Sequence, residues 1–98
     1  MTEEAQRQAR AERKWWRAHR DEKHVFTEEL RAARVTLSHG PKHEIYGYFD
    51  GLPVRRLLMV KTRCHVYYVV LERDNLVRIV AVWGAMRGAD PSSIALRE

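Results

Sequence analysis

The residues able to do chemistry crowd into the second half of the chain. Arg55, Arg56, Lys61, Arg63 and His65 all fall between Gly51 and Leu71, a span that holds no acid. Tyr67 and Tyr68 follow, and Trp83 and Arg87 close the same stretch, Val54 to Arg87. Guanidinium groups can stabilise charge on a phosphate and a histidine can move a proton near neutral pH, so the set has the ingredients of a ribonuclease. Arginine beside tyrosine and tryptophan is equally the composition of a binding surface. The plain alternative is a solvated strand face on which His65 is an ordinary strand residue.

Other chemistries have less to work with. Cys64 is the single cysteine, so no internal disulfide can form, and a reducing cytoplasmic home is expected. Cys64 and His65 are adjacent, and His19, His24, His39 and His43 lack Cys-x-x-Cys or His-Glu-x-x-His spacing, so neither a metal nor another cofactor is expected. No apolar run approaches the ~18 residues of a membrane span, and the polar start lacks the apolar segment of a secretory signal. With 98 residues, 45% of them hydrophobic and 32% charged, the chain makes one globular domain, residues 1–98. The net charge of +5 permits nucleic acid, a nucleoprotein machine or an acidic protein as partner. Both halves are mildly basic, with nine Lys/Arg against seven Asp/Glu in residues 1–40 and nine against six thereafter.

The elements that must position these residues can be read in order. Thr2 caps a first helix over about 2–19, with Glu3 and Glu4 at the positive end of its dipole. Ala5, Ala9 and Trp16 share its apolar face, and the pair Trp15-Trp16 is read as core packing, with an exposed partner anchor as the alternative. A short polar segment, Arg20 to His24, leads into a second helix over about 24–38, whose stripe is Phe26, Leu30, Ala33 and Leu37. Gly40-Pro41 ends it. From Lys42 to Pro53 a loop is expected, punctuated by Gly47, Asp50-Gly51 and Pro53, with Tyr46, Tyr48 and Phe49 lying over an edge of the core, a contact surface being the alternative.

Three strands follow, about 54–60, 64–71 and 76–83, joined by turns short enough for antiparallel hairpins. In the middle strand Val66, Tyr68 and Val70 face one way, and His65, Tyr67, Val69 and Leu71 the other. Both faces are apolar, which predicts a central strand with the helical hairpin over one face and the other partly open or covered by a partner. The tail beyond Arg87 lacks periodicity and is expected to be irregular. The fold class is therefore α+β, a two-helix hairpin packed on a small three-stranded antiparallel sheet.

This order, with Ala5, Trp15-Trp16, Leu30, Leu37, Pro41, Arg56, Tyr67-Tyr68, Trp83 and Arg87 in their places, resembles the RelE/ParE superfamily of toxins from bacterial type II toxin–antitoxin systems. The ParE-like branch is the nearer one. The resemblance runs from Ala5 to Pro91. It implies a growth-inhibiting toxin held inactive by a cognate antitoxin, in a hetero-oligomer, with DNA gyrase as the target of ParE-like members and messenger RNA on the ribosome as that of RelE-like members. Members usually begin with a β-strand that precedes the first helix. Here that strand is missing, so either the sheet has an uncovered edge or the start lies upstream.

RelE-like ribonucleases carry an arginine three residues before the central-strand tyrosine, a second after the last strand, lysines in the basic strand and a late tyrosine. His65 replaces the first arginine, Arg87 can stand for the second, Arg56 or Lys61 only loosely replace the lysines, and no tyrosine follows Tyr68. The catalytic set would be His65, Arg87 and Arg56, and it is incomplete. The resemblance thus favours a binding poison of gyrase, with Arg55, Arg56, Lys61, Arg63, Tyr68, Trp83 and Arg87 as partner-binding residues. The alternatives are a ribosome-dependent ribonuclease and an inactive relative that keeps only the antitoxin surface.

Overall fold

The computed structural model describes residues 1–19, 21–40 and 43–96. Arg20, Pro41 and Lys42, placed above at the start of the first connection, after the second helix and at the head of the loop, lie outside the described residues. Two helices, α1 (Glu3–His19) and α2 (Val25–His39), precede four strands, β1 (Ile45–Phe49), β2 (Leu52–Met59), β3 (Cys64–Leu71) and β4 (Leu76–Gly84). The strands form one antiparallel meander in the order β1-β2-β3-β4. The architecture is α+β as expected, with one strand more.

The added strand lies inside the stretch read as a loop. Asp50 and Gly51 both take positive φ, 50° and 77°, and Phe49 pairs directly with Leu52 across them. A two-residue turn of this hand matches the twist of flanking strands, and Asp-Gly is among the sequences that adopt it most readily. The turn therefore folds Ile45–Phe49 back on β2 rather than releasing it as a loop.

Helix α1 starts where its cap is. The Ala5 amide donates to Thr2 Oγ1 at 3.1 Å, satisfying one of the free donors of the first turn. The apolar stripes of both helices bury Ala5, Phe26, Ala33 and Leu37 against Met59, Cys64, Val66, Tyr68, Ile79 and Val82, with Trp16 and Leu30 packed at the margin. Trp15 departs from the core reading: it is 42% exposed. Gly40 caps α2 at φ 166°, an extended conformation open to any residue.

The opposite face of the sheet is closed by the chain itself. Val54, Tyr67, Val69, Val80 and Ala81 bury there with Ile94, and Phe49, Leu71 and Trp83 pack around them. Ile94 comes from the tail, which has no helix or strand of its own but crosses the sheet and pairs with β1. The Tyr48 amide donates to Ala95 O at 2.6 Å and the Ala95 amide to Tyr48 O at 2.9 Å. The expectation of a partly open or partner-covered face is thereby corrected, because residues of the same chain cover it.

Along the outer edge of β4, α1 and its lead-in satisfy part of the backbone. The Thr2 amide donates to Ile79 O at 3.0 Å, and the Val82 amide donates to Gln8 Oε1 at 2.7 Å. An edge blunted in this way is a poorer template for another strand.

The tail rests on one close approach. A Cβ at Gly47 would stand 2.6 Å from Ala95 O and 3.0 Å from Ile94 Cγ2, so no larger residue fits without moving the tail backbone. Gly47→Ala is expected to cost about 1–3 kcal/mol in urea unfolding, the range for overpacking a tight contact, and to make the segment after Arg87 cleave faster in limited proteolysis. Unchanged stability and unchanged cleavage would show that the tail is not held at this point.

Candidate functional site

The candidate residues do not form one patch, because strand alternation sends neighbours to opposite faces. Arg55 pairs with Tyr68 and Arg56 with Tyr67 in the β2–β3 register. Arg55 therefore lies on the helix side, where it donates to His43 O. Arg56 lies on the tail side, its guanidinium 3.7 Å from the centre of the Tyr46 ring. Lys61 and Arg63 are on the exposed turn between β2 and β3. Glu29 of α2 fixes that turn, its carboxylate accepting from the Lys61 amide at 2.6 Å, the Thr62 amide at 3.0 Å and the Thr62 hydroxyl at 2.7 Å. The compact basic block read along the chain is thus three separate placements.

Tyr68 requires a correction as a contact residue, since it is completely buried beneath the helices. Its hydroxyl accepts from the His43 amide at 3.3 Å and lies 2.6 Å from His43 Nδ1. Burial raises its pKa. Tyr68 is a core residue that anchors the start of the β1 segment, and no partner can reach it on this surface.

What the fold does bring together lies at the end of the sheet, around Trp83 and Gly84. On the tail side a small polar pocket of about 220 Å³ is lined by Tyr46, Arg56, His65, Tyr67, Trp83 and Asp90. Asp90 Oδ1 accepts from the Tyr46 hydroxyl at 2.7 Å and from the Tyr67 hydroxyl at 3.3 Å. The first of these bonds, with burial, raises the Tyr46 pKa, and burial chiefly raises that of Tyr67. His65 is half-buried, and its pKa is lowered from 6.5, first by burial and then by the Arg56 charge, against an opposing pull from Asp90.

On the helix side of Gly84 lies a wider groove of about 620 Å³, lined among others by Trp15, Trp16, Cys64 and Met86, with Lys61, Arg63 and Arg87 at its rim. Met86 is 85% exposed. Arg87 stands between the two concavities. Its guanidinium is 4.2 Å from the centre of the Trp83 ring and donates to Glu12 Oε1 at 2.9 Å. Glu12, only 8% exposed, is the buried acid of α1. The bond pins the segment after β4 to the first helix, and Trp83 Nε1 pins it again by donating to Ala89 O at 2.7 Å. Cys64, at the floor of the groove, is pushed up to about 12 by burial and then by the nearby Glu12 charge, so it stays a neutral thiol.

Of the proposed ribonuclease set, His65 and Arg56 share the polar pocket, whereas Arg87 lines the groove on the other side. A base, a cation and two tyrosines thus meet, but a neutral imidazole is a poor proton donor and both tyrosines hold their protons. Glu12 and Asp90 are participants that the sequence reading did not single out, and Tyr46, read as lying over an edge of the core, joins them. Glu12 could have been found, because it falls seven residues after Ala5 and four before Trp16, an acid on an apolar helix face. Asp90 carries no such signal, since its place depends on the path of an aperiodic tail.

Among the described residues no three His, Cys, Asp or Glu side chains gather as metal ligands, and no helix is long and apolar enough to cross a membrane. No family model matches the chain, and no curated protein and no solved structure matches it significantly.

The depressed His65 pKa has a pH consequence. The unfolded chain takes up a proton at about 6.5 while the folded site resists it, so the stability tied to neutral His65 is present above that pH and lost as pH falls through the folded value. NMR titration is expected to place His65 below 6.5, and His65→Gln is expected to flatten part of the decline in melting temperature between pH 7 and 5. A His65 titrating above 6.5 would overturn the assignment of burial and Arg56 as its governing neighbours.

Proposed function

We propose that the chain is the toxin of a bacterial type II toxin–antitoxin pair, a ParE-like member of the RelE/ParE superfamily. It acts in the cytoplasm by binding and poisoning DNA gyrase, and a cognate antitoxin neutralises it. The observation that carries the reading is the sheet end itself. Two guanidinium groups, Arg56 and Arg87, are each held against an aromatic ring, at 3.7 Å and 4.2 Å, on the two sides of Trp83. Stacked arginines are pre-organised, charged at any physiological pH, and favoured where a planar or anionic partner must be gripped. Inhibition by binding needs such a surface and no proton donor.

The apolar groove supports the second half of the proposal. Trp15, Trp16 and Met86 give the groove an apolar lining, and Lys61, Arg63 and Arg87 add positive charge to it. An antitoxin segment that combines apolar anchors with acidic residues would be complementary to it.

The ribonuclease alternative has one observation in its favour, the shared pocket of His65, Arg56 and Tyr67. A neutral His65 could accept the proton of a ribose hydroxyl, but protonation of the leaving oxygen would then fall to a group outside this set. An inactive relative would keep the groove and lose both activities.

Expression without the antitoxin is expected to arrest growth, and the purified protein to inhibit gyrase supercoiling. Arg56→Ala should reduce that inhibition at least tenfold while shifting the melting temperature by no more than about 4–8 °C, since a half-buried, stacked arginine contributes roughly 1 kcal/mol or less to stability. Arg87→Lys is the better probe on the other side, because it leaves a cation for Glu12 while removing the planar stack. Unaffected supercoiling together with codon-positioned cuts in translated messenger RNA would replace this reading with the ribonuclease one.

A further inference from the structure

The solvent face of α1 carries charge that nothing in the described structure uses. Arg10, Arg13, Lys14 and Arg17 are all exposed and stand at i, i+3, i+4 and i+7 of one helix, where side chains are neighbours. Together they line a single shallow depression with Ala18. Glu4, the nearest acid toward the helix start, pairs with Arg7, and Glu12 points inward to Arg87. No ion pair among the described residues involves any of the four cations. Like charges at these spacings destabilise a helix, so the arrangement is one that a polyanion would relieve.

We propose that this face of α1 is a docking surface for the phosphate backbone of duplex DNA, separate from the sheet-end site. Three of the four cations are arginines, which bind phosphate in a bidentate fork. The depression is lined only by those cations and Ala18, so it lacks the aromatic or large apolar anchors on which protein interfaces depend. It also lacks a stacking platform for single-stranded bases. Trp15 is turned away, stacked on His19 at 4.7 Å. The open major groove of B-form DNA admits the exposed face of a helix, whereas the deep, narrow major groove of duplex RNA excludes it.

The dimensions agree. From Arg10 to Arg17 the helix rises about 10 Å, and B-form DNA presents one charge per ~1.7 Å of axis with both strands counted, so roughly six phosphates, about three on each strand, span that length and three or four can be neutralised. The inference does not depend on gyrase being the target, and its test involves neither growth nor supercoiling.

Anisotropy of a labelled duplex of about 20 base pairs, titrated with the full chain, tests it. Neutralising three or four phosphates should give a log–log salt slope near −3, or a loss of about 40- to 150-fold in affinity between 50 and 200 mM salt. Replacing Arg10, Arg13, Lys14 and Arg17 together by Gln should abolish binding with the helical circular dichroism unchanged. The half-stripe variant Arg10→Gln with Arg13→Gln should reduce the slope by about 2. Arg73→Gln, which removes one exposed cation from the turn between β3 and β4, should bind as well as the parent protein. A fourfold variant that binds DNA within twofold of the parent would overturn the proposal. So would displacement of the duplex by poly-glutamate at equal charge concentration, which would identify an acidic protein as the partner, or tenfold tighter binding of duplex RNA.

Discussion

A strand that is apolar on both faces cannot rest against one layer, and β3 is such a strand. Cys64, Val66 and Tyr68 are buried on one side and Tyr67 and Val69 on the other. At roughly 1.5–3 kcal/mol for each large side chain taken out of water, leaving either side open would forfeit several kcal/mol in a domain whose net stability is of order ten. Two covers are needed, and a chain of this length has two segments free to supply them. The helices take one side. The tail, with too few apolar residues for a helix or strand, takes the other by placing Pro91 and Ile94 and by pairing Ala95 with Tyr48.

The site is a by-product of how those covers are fastened. The tail leaves the sheet at Gly84, and three contacts hold it there: Arg87 to Glu12, Trp83 to Ala89 O, and Asp90 to the hydroxyls of Tyr46 and Tyr67. Each fastening places a functional candidate. Arg87 is laid along Trp83 because its other end is tied to α1. Arg56 lies over Tyr46 where the Tyr46 hydroxyl is held by Asp90. The surface is therefore as rigid as the fold, and a substitution at Glu12 or Asp90 would loosen it without touching a partner.

Periodicity made the helices and three of the strands legible, because each buries a stripe that repeats at its own spacing. The faces of β3 could be assigned residue by residue for the same reason. β1 was hidden, since two glycines and a proline in and around Tyr46 to Pro53 read as loop chemistry, although Asp50-Gly51 also encodes a two-residue hairpin turn. The site was legible in residue type and not in grouping. Arg55 and Arg56 are adjacent in sequence and on opposite faces in space, Tyr68 is hydrophobic core despite its hydroxyl, and Asp90 reaches the site only because an aperiodic tail folds back. Contacts made across the sheet by a segment without a period leave no pattern to read.

Charge is distributed unevenly for a related reason. The chain has 18 Lys and Arg against 13 Asp and Glu, yet several acids are turned inward. Glu12 holds Arg87, Glu29 caps the β2–β3 turn with three bonds, and Asp90 ties two tyrosines. A carboxylate accepts hydrogen bonds at two oxygens and suits such fixings, whereas lysine and arginine, long and only able to donate, extend into solvent. The acids that stabilise the fold are thereby withdrawn from the surface, and the exterior is more positive in places than a net +5 implies. This is why the unopposed cations collect on the outer face of α1 and at the rim of the groove, where no acid of the fold is needed to hold them.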